Sequence, residues 1–104
     1  MGRDHMSSEQ HQLHAIVSGR VQGVSFRYFT RQRALQLGVR GWVQNNTDGT
    51  VEVTAQGTKD ELEELLRFLH VGSPGSNVQT VNVEWQSVTH ALQPFIIRYP
   101  SYVR

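Results

Sequence analysis

The 104 residues carry 10 Lys and Arg against 9 Asp and Glu, a net charge of +1, so charge alone gives no argument for a nucleic-acid partner. At this length one domain with a single modest core is expected; the lack of cysteine excludes disulfides, thiolate metal sites and cysteine nucleophiles, and fits a reducing, cytoplasmic setting. No apolar run approaches the ~20 residues of a membrane span, and no charged start leads into an apolar signal segment.

Residues 1–6 (Met-Gly-Arg-Asp-His-Met) read as an expression scar ahead of a native start near Met6, leaving 7–104 as a single domain. His14 to Ser18 contains Ala-Ile-Val and predicts a short strand bounded by Gly19. Val17-Ser-Gly-Arg-Val-Gln-Gly-Val-Ser-Phe-Arg27 then reads as a strand, a glycine-bracketed turn and the opening of a helix. Such a turn can aim several backbone N–H groups at one point, and a helix N-terminus adds partial positive charge. Arg27 supplies a forked, permanently charged donor suited to phosphate oxygens. The residues therefore predict an anion cradle for a phosphoryl group. From Gln10 to Thr47 there is no Asp or Glu, so this half of the chain could steer a small anion towards the turn.

Phe26 to Leu37 lacks Gly and Pro and stops at Gly38, which predicts a helix with Ser25 as its N-cap. Arg40–Gln44 and Thr50–Gln56 are strand-like on either side of Asn-Asn-Thr-Asp-Gly49, a hairpin signal. Thr58-Lys-Asp-Glu61 is a capping box, followed by Leu62, Leu65, Leu66 and Leu69 as one apolar stripe and by Gly72 as the stop. After the loop Ser73-Pro-Gly-Ser76, the valines from Val78 to Val88 with Trp85 predict a long strand at or near a sheet edge. Phe95–Tyr99 predicts a last short strand, stopped by Pro100. The order is β-α-β-β-α-β with an extra C-terminal strand: an α+β, ferredoxin-like sandwich with two helices on one face of an antiparallel sheet. That fold licenses no function by itself.

Binding a phosphoryl group is not hydrolysis, which needs a positioned nucleophile. No Ser sits in a Gly-x-Ser-x-Gly elbow, no Asp-x-Asp is present, and the turn lacks the Gly-Lys-Ser/Thr ending of a nucleotide-binding loop. Ser25 lies in the turn, but no sequence feature gives it a base, and capping the helix is its expected role. Asn45 and Asn46 close the second strand, and local pattern does not separate them from each other or from ordinary turn chemistry. His11 and His14 have a spacing seen in metal sites but lack a third ligand, and no metal is expected. Trp42 and Trp85 are expected in core or sheet-face packing.

Val17 to Arg27 resembles the first signature of the acylphosphatases, aliphatic-x-Gly-x-Val-Gln-Gly-Val-x-Phe-Arg, at every fixed position. Gly41-Trp-Val-Gln-Asn45, with Gly49, Val51 and Gly57, resembles the second. The resemblance covers roughly residues 12 to 99 and implies hydrolysis of a carboxyl–phosphate anhydride to carboxylate and inorganic phosphate, without metal or cofactor. It implies that the amides of Gln22, Gly23, Val24, Ser25, Phe26 and Arg27, with the Arg27 side chain, hold the phosphoryl group. Asn45 would then orient the attacking water. The implied partners are a small acyl phosphate and inorganic phosphate as product and inhibitor, with no nucleic acid or membrane, and monomer as the default state. Residues 100–104 extend past the usual end of the family's last segment and are expected to be a harmless extension.

Two alternatives stand beside this reading. One is a domain of the same type serving carbamoyl phosphate chemistry in hydrogenase maturation, against which the short chain argues. The other is a catalytically silent phosphate-binding module of the same fold.

Overall fold

The structure, a computed structural model, describes residues 9–99. The expected scar at residues 1–6 and the extension at residues 100–104 lie outside the described residues.

Strand β1 (His11–Arg20) alternates strictly: Leu13, Ala15 and Val17 are fully buried, while Gln12, His14 and Ile16 turn to the other face. It is longer than Ala-Ile-Val alone suggests because its polar face finds partners across the sheet. Gln12 bonds to the side chains of Gln86 and Gln56, and His14 Nε2 lies 2.6 Å from Glu52 Oε2. His11 and His14 fall on opposite faces of the strand and do not converge, which removes the geometric basis for a His–His site. Near the end of β1 the register shifts between Ser18 and Gly19. Gly19 has φ 118°, and a Cβ there would run into the Asn77 carbonyl, so this bulge requires glycine.

Helix α1 (Phe26–Leu37) has the expected bounds, and Gly38 at φ 79° closes it with its N–H directed at the Ala34 and Leu35 carbonyls. Strands β2 (Arg40–Asn45) and β3 (Val51–Gly57) form the expected hairpin. Helix α2 (Lys59–Val71) starts on the complete capping box: Thr58 Oγ1 accepts from Glu61 N, and Glu61 Oε1 accepts from Thr58 N at 2.9 Å. Leu62, Leu65 and Leu69 of its stripe are fully buried.

The long edge strand is β4 (Asn77–Gln86), and β5 (Ile96–Ile97) is the last. The sheet order is β4-β1-β3-β2-β5, with the four long strands antiparallel. The added strand differs: β5 pairs parallel with β2, Trp42 opposite Ile96 and Val43 opposite Ile97, so the five-stranded sheet is mixed. The parallel direction follows from the route of the chain after β4, which crosses the open face of the sheet instead of turning back in a hairpin. That crossing is held by Gln56, whose carboxamide donates to the His90 carbonyl at 2.6 Å and accepts from Leu92 N at 2.9 Å, and by Gly41 N bonding the Gln93 carbonyl at 2.9 Å. Phe95 then anchors the segment in the core.

Both helices pack on one face, joined to the sheet through a single cluster that includes Leu13, Val17, Phe26, Ala34, Val43, Val53 and Leu65. The tryptophans divide. Trp42 lies on the open face under the Arg98 guanidinium, 3.5 Å from the ring centroid, as sheet-face packing predicts. Trp85 is exposed, not core: β4 is an edge strand, and among its described ring contacts the ring meets only the Lys59 ammonium, 5.3 Å from the centroid.

Candidate active site

The register sets where the site forms. Val17 near the end of β1 pairs with Val51, the first residue of β3, and Val51 pairs with Asn45, the last residue of β2. The turn after β1, the hairpin and the N-terminus of α1 therefore meet at one end of the sheet. Because β5 runs parallel to β2, its far end arrives there too. At this place a pocket of about 360 Å3 is lined by Val21, Gly23, Ser25, Phe26, Arg27, Tyr28, Asn45, Ile97 and Tyr99.

The turn is shaped for an anion. Gly23 has φ 74° and Ser25 φ 60°, the one non-glycine residue at positive φ among those described, while Val24 between them is not at positive φ. Alternating handedness swings successive N–H groups towards a common concave side, the geometry of an anion nest. Ser25 occupies the N-cap position but does not cap. Its backbone is left-handed, whereas a capping serine needs the extended region to bring its hydroxyl back to the N–H groups of the first turn, and no side-chain capping bond forms. The expectation that Ser25 caps α1 is thus overturned. The first backbone bond of the helix runs from Phe29 N to Ser25 O at 3.1 Å, so the N–H groups of Phe26, Arg27 and Tyr28 have no helical partner.

Electrostatics point the same way. The first turn of α1 holds no acidic residue and does hold Arg27, a positive charge at the positive end of the helix dipole. Among the described residues Arg27 has no ion pair; its guanidinium lies 5.2 Å from the centroid of the Tyr99 ring. An anion in the pocket would relieve an electrostatic conflict that the protein otherwise carries.

The two asparagines that sequence could not separate have different surroundings. Asn46 spends its carboxamide inside the hairpin: Nδ2 donates to Thr50 Oγ1 at 3.0 Å, and Oδ1 accepts from Gln44 Nε2 at 3.0 Å. Asn45 lines the pocket, and its Oδ1 is a buried oxygen without a hydrogen-bond partner. The hairpin itself is fixed by Asp48, whose Oδ1 accepts from Thr50 N at 3.0 Å and from Thr50 Oγ1 at 2.7 Å. The Thr50 hydroxyl bond holds the Asp48 carboxyl below its usual range.

Of the residues expected to hold a phosphoryl group, Gly23, Ser25, Phe26 and Arg27 line the pocket together with Asn45; Gln22 and Val24 do not. The Gln22 side chain turns to the hairpin, and Val24 packs against the core while its carbonyl accepts from Ser73 Oγ at 2.8 Å. Val21, Tyr28, Ile97 and Tyr99 complete the wall, and the sequence assigned none of them a role in the site. Tyr28 directly follows Arg27, a position that an exposed first-turn residue could have suggested. Ile97 and Tyr99 carry no local signal, because only the parallel pairing of β5 brings them here. No carboxylate or imidazole is among the described lining residues.

Comparison with known proteins bears on the family and the fold. The sequence model of the family described as Acylphosphatase matches residues 13–97. The chain is similar to an acylphosphatase of Pelotomaculum thermopropionicum, 48% identical over 86 residues that span 83% of this chain and 94% of the relative. It is also similar to an acylphosphatase of Dehalococcoides mccartyi, 49% identical over 90 residues, 86% of this chain and 99% of the relative. The crystal structure of the Bacillus subtilis acylphosphatase superposes with a TM-score of 0.83 at 38% identity, covering 86% of this chain and 99% of that one.

Proposed function

The chain belongs to the acylphosphatase family, and from that premise we propose how the residues around its pocket divide the work. The protein is a hydrolase of acid anhydrides that converts an acyl phosphate to a carboxylate and inorganic phosphate. The N–H groups of the turn residues on the pocket wall, Gly23, Ser25, Phe26 and Arg27, and the Arg27 guanidinium receive the three non-bridging phosphoryl oxygens, where charge sits during transfer. Asn45 orients the attacking water.

The observation that carries this reading is the Asn45 carboxamide on the pocket wall, which, unlike that of Asn46, makes no hydrogen bond within the hairpin among the described residues. A carboxamide not committed to the fold is available to bond a water. Held there, the water presents its lone pair to phosphorus. The new O–P bond forms as the bond to the acyl oxygen breaks, and the carboxylate leaves with the electron pair. The proton shed by the water passes to a phosphoryl oxygen, giving carboxylate and dihydrogen phosphate from a dianionic acyl phosphate. The atoms and charges balance without a protein base, consistent with a lining that offers no carboxylate or imidazole among the described residues. A carboxylate is a good leaving group, so positioning and charge stabilisation suffice. No metal enters any step.

The test is hydrolysis of benzoyl phosphate by the wild type and Asn45→Ala, side by side in EDTA. Turnover by the wild type, near-complete loss in the variant and retained inhibition by phosphate are expected. An inactive wild type that still binds phosphate would leave a silent anion-binding module. Full activity in Asn45→Ala would remove Asn45 from the mechanism.

A further inference from the structure

Gln22 lies in the phosphate turn, yet its side chain points away from the pocket and spans to the hairpin. Its Nε2 donates to two peptide carbonyls, Asn46 O at 2.8 Å and Thr50 O at 2.9 Å. These carbonyls belong to the residues that close the β2–β3 turn: Asn46 N itself bonds to Thr50 O at 2.9 Å, and Asn46 directly follows Asn45. One neutral nitrogen therefore ties the turn that would hold phosphate to the peptide next to the residue that would hold water.

We propose that Gln22 is a positioning residue: its side chain sets the separation between the phosphate turn and the Asn45 carboxamide. The inference rests on the roles given above to that turn and to Asn45. Residue type supports it. Two carbonyl acceptors need two donors at one point, and a carboxamide supplies both without charge; a carboxylate supplies none, and an ammonium would bring a cation beside the site. The half-buried location of Gln22 shields both bonds partly from competing water. The remaining covalent and sheet connection between the two parts runs through β1, β3 and β2, and Gln22 closes that path into a ring at its open end. In-line attack is sensitive to such placement: an error near 1 Å can cost on the order of 100-fold in rate.

The experiment compares wild type, Gln22→Met, Asn45→Ala and the double variant on benzoyl phosphate, with inhibition by inorganic phosphate measured in parallel. Methionine keeps the length and bulk of the side chain and removes both donors. In Gln22→Met, kcat is expected to fall on the order of 10- to 100-fold, while KM and the phosphate inhibition constant stay within about twofold. In the Asn45→Ala background the same substitution should change residual kcat by less than about twofold, because the group being positioned is gone. Where Asn45→Ala leaves no measurable turnover, the split between kcat and phosphate inhibition in Gln22→Met decides alone.

An unchanged kcat in Gln22→Met overturns the inference, and so does a phosphate inhibition constant that rises in step with the loss of kcat. Independent, multiplying losses in the double variant overturn it as well. If Gln22→Met melts below the assay temperature, Gln22→Asn, which keeps the donors and shortens their reach, takes its place with the same expected split. The underlying reading fails separately: a fully active Asn45→Ala sinks the water assignment, whereas an inactive Asn45→Ala beside a wild-type-like Gln22→Met sinks only the role of Gln22.

Discussion

The two helices of this protein begin in opposite ways. Helix α2 starts on an extended Thr58 whose hydroxyl and partner Glu61 satisfy the end reciprocally, and Asp60 and Glu61 place negative charge against the positive end of the dipole. Helix α1 starts on a left-handed Ser25 that caps nothing, with no acid in its first turn and with Arg27 adding like charge to the dipole. By the rules of local stability α2 is correct and α1 is wrong three times over. The difference fits the site proposed above: free N–H groups, a strained backbone position and a cation without an ion pair among the described residues are costs at a helix end, and together they suit an anion.

This contrast can be broken at α1 first. Arg27→Gln should lower kcat/KM for benzoyl phosphate by at least ~100- to 1000-fold and weaken phosphate inhibition. Its melting temperature should stay level or rise, since the charge opposed to the dipole is gone. A fall in stability comparable to the fall in activity would mean that Arg27 supports the fold. Next in size, Ser25→Asp introduces a carboxylate in a conformation that aspartate tolerates. It should stabilise the end of α1 and raise the phosphate inhibition constant at least ~10-fold by repulsion. Unaltered phosphate inhibition would show that the anion binds elsewhere. At α2 the expected effects are on stability alone. Thr58→Ala should cost about 1 kcal/mol of unfolding free energy with kcat unchanged, which denaturant melts and one assay would check.

The smallest effect concerns the acid limb. Glu64 is held below its usual range, first by the hydrogen bond from Arg67 at 2.7 Å and then by the charge of that residue. A depressed folded value means that the contribution is present above the unfolded carboxyl pKa and lost as pH falls through the folded one. Arg67→Gln should therefore slightly flatten the loss of stability on acidification, and added salt should mask the change, because the pair is fully exposed. A difference that persists in high salt would contradict a surface origin.

How much of this was legible in the sequence depends on how far apart the interacting residues are. The Thr58–Glu61 box, the leucine stripe and the bounds of α1 depend on neighbours within one or two turns, and each appears where the pattern places it. The hairpin at Asp48-Gly49 is equally local. The handedness of Ser25 was not legible, because serine is an ordinary N-cap and its φ is imposed by how the turn must meet the hairpin. Nor was the separation of Asn45 from Asn46, which rests on Gln44 and Thr50 occupying one carboxamide and leaving the other open. The β5 direction, and with it Ile97 and Tyr99 on the pocket wall, follows from the crossing held by Gln56. The signature residues meet at one end of the sheet beside the pocket, and the contacts between segments supplied the rest.

The sheet order also governs the time the protein needs to reach its native state. The first strand lies between the third and the fourth, and Gln12 meets Gln86 across a sequence separation of 74 residues. Such distant pairings must close large loops before they gain any contact, so a chain of this topology belongs among the slower small folders, on the order of milliseconds to seconds. The turn proposed to hold phosphate hangs from that same strand, so its shape is completed together with these long-range pairings.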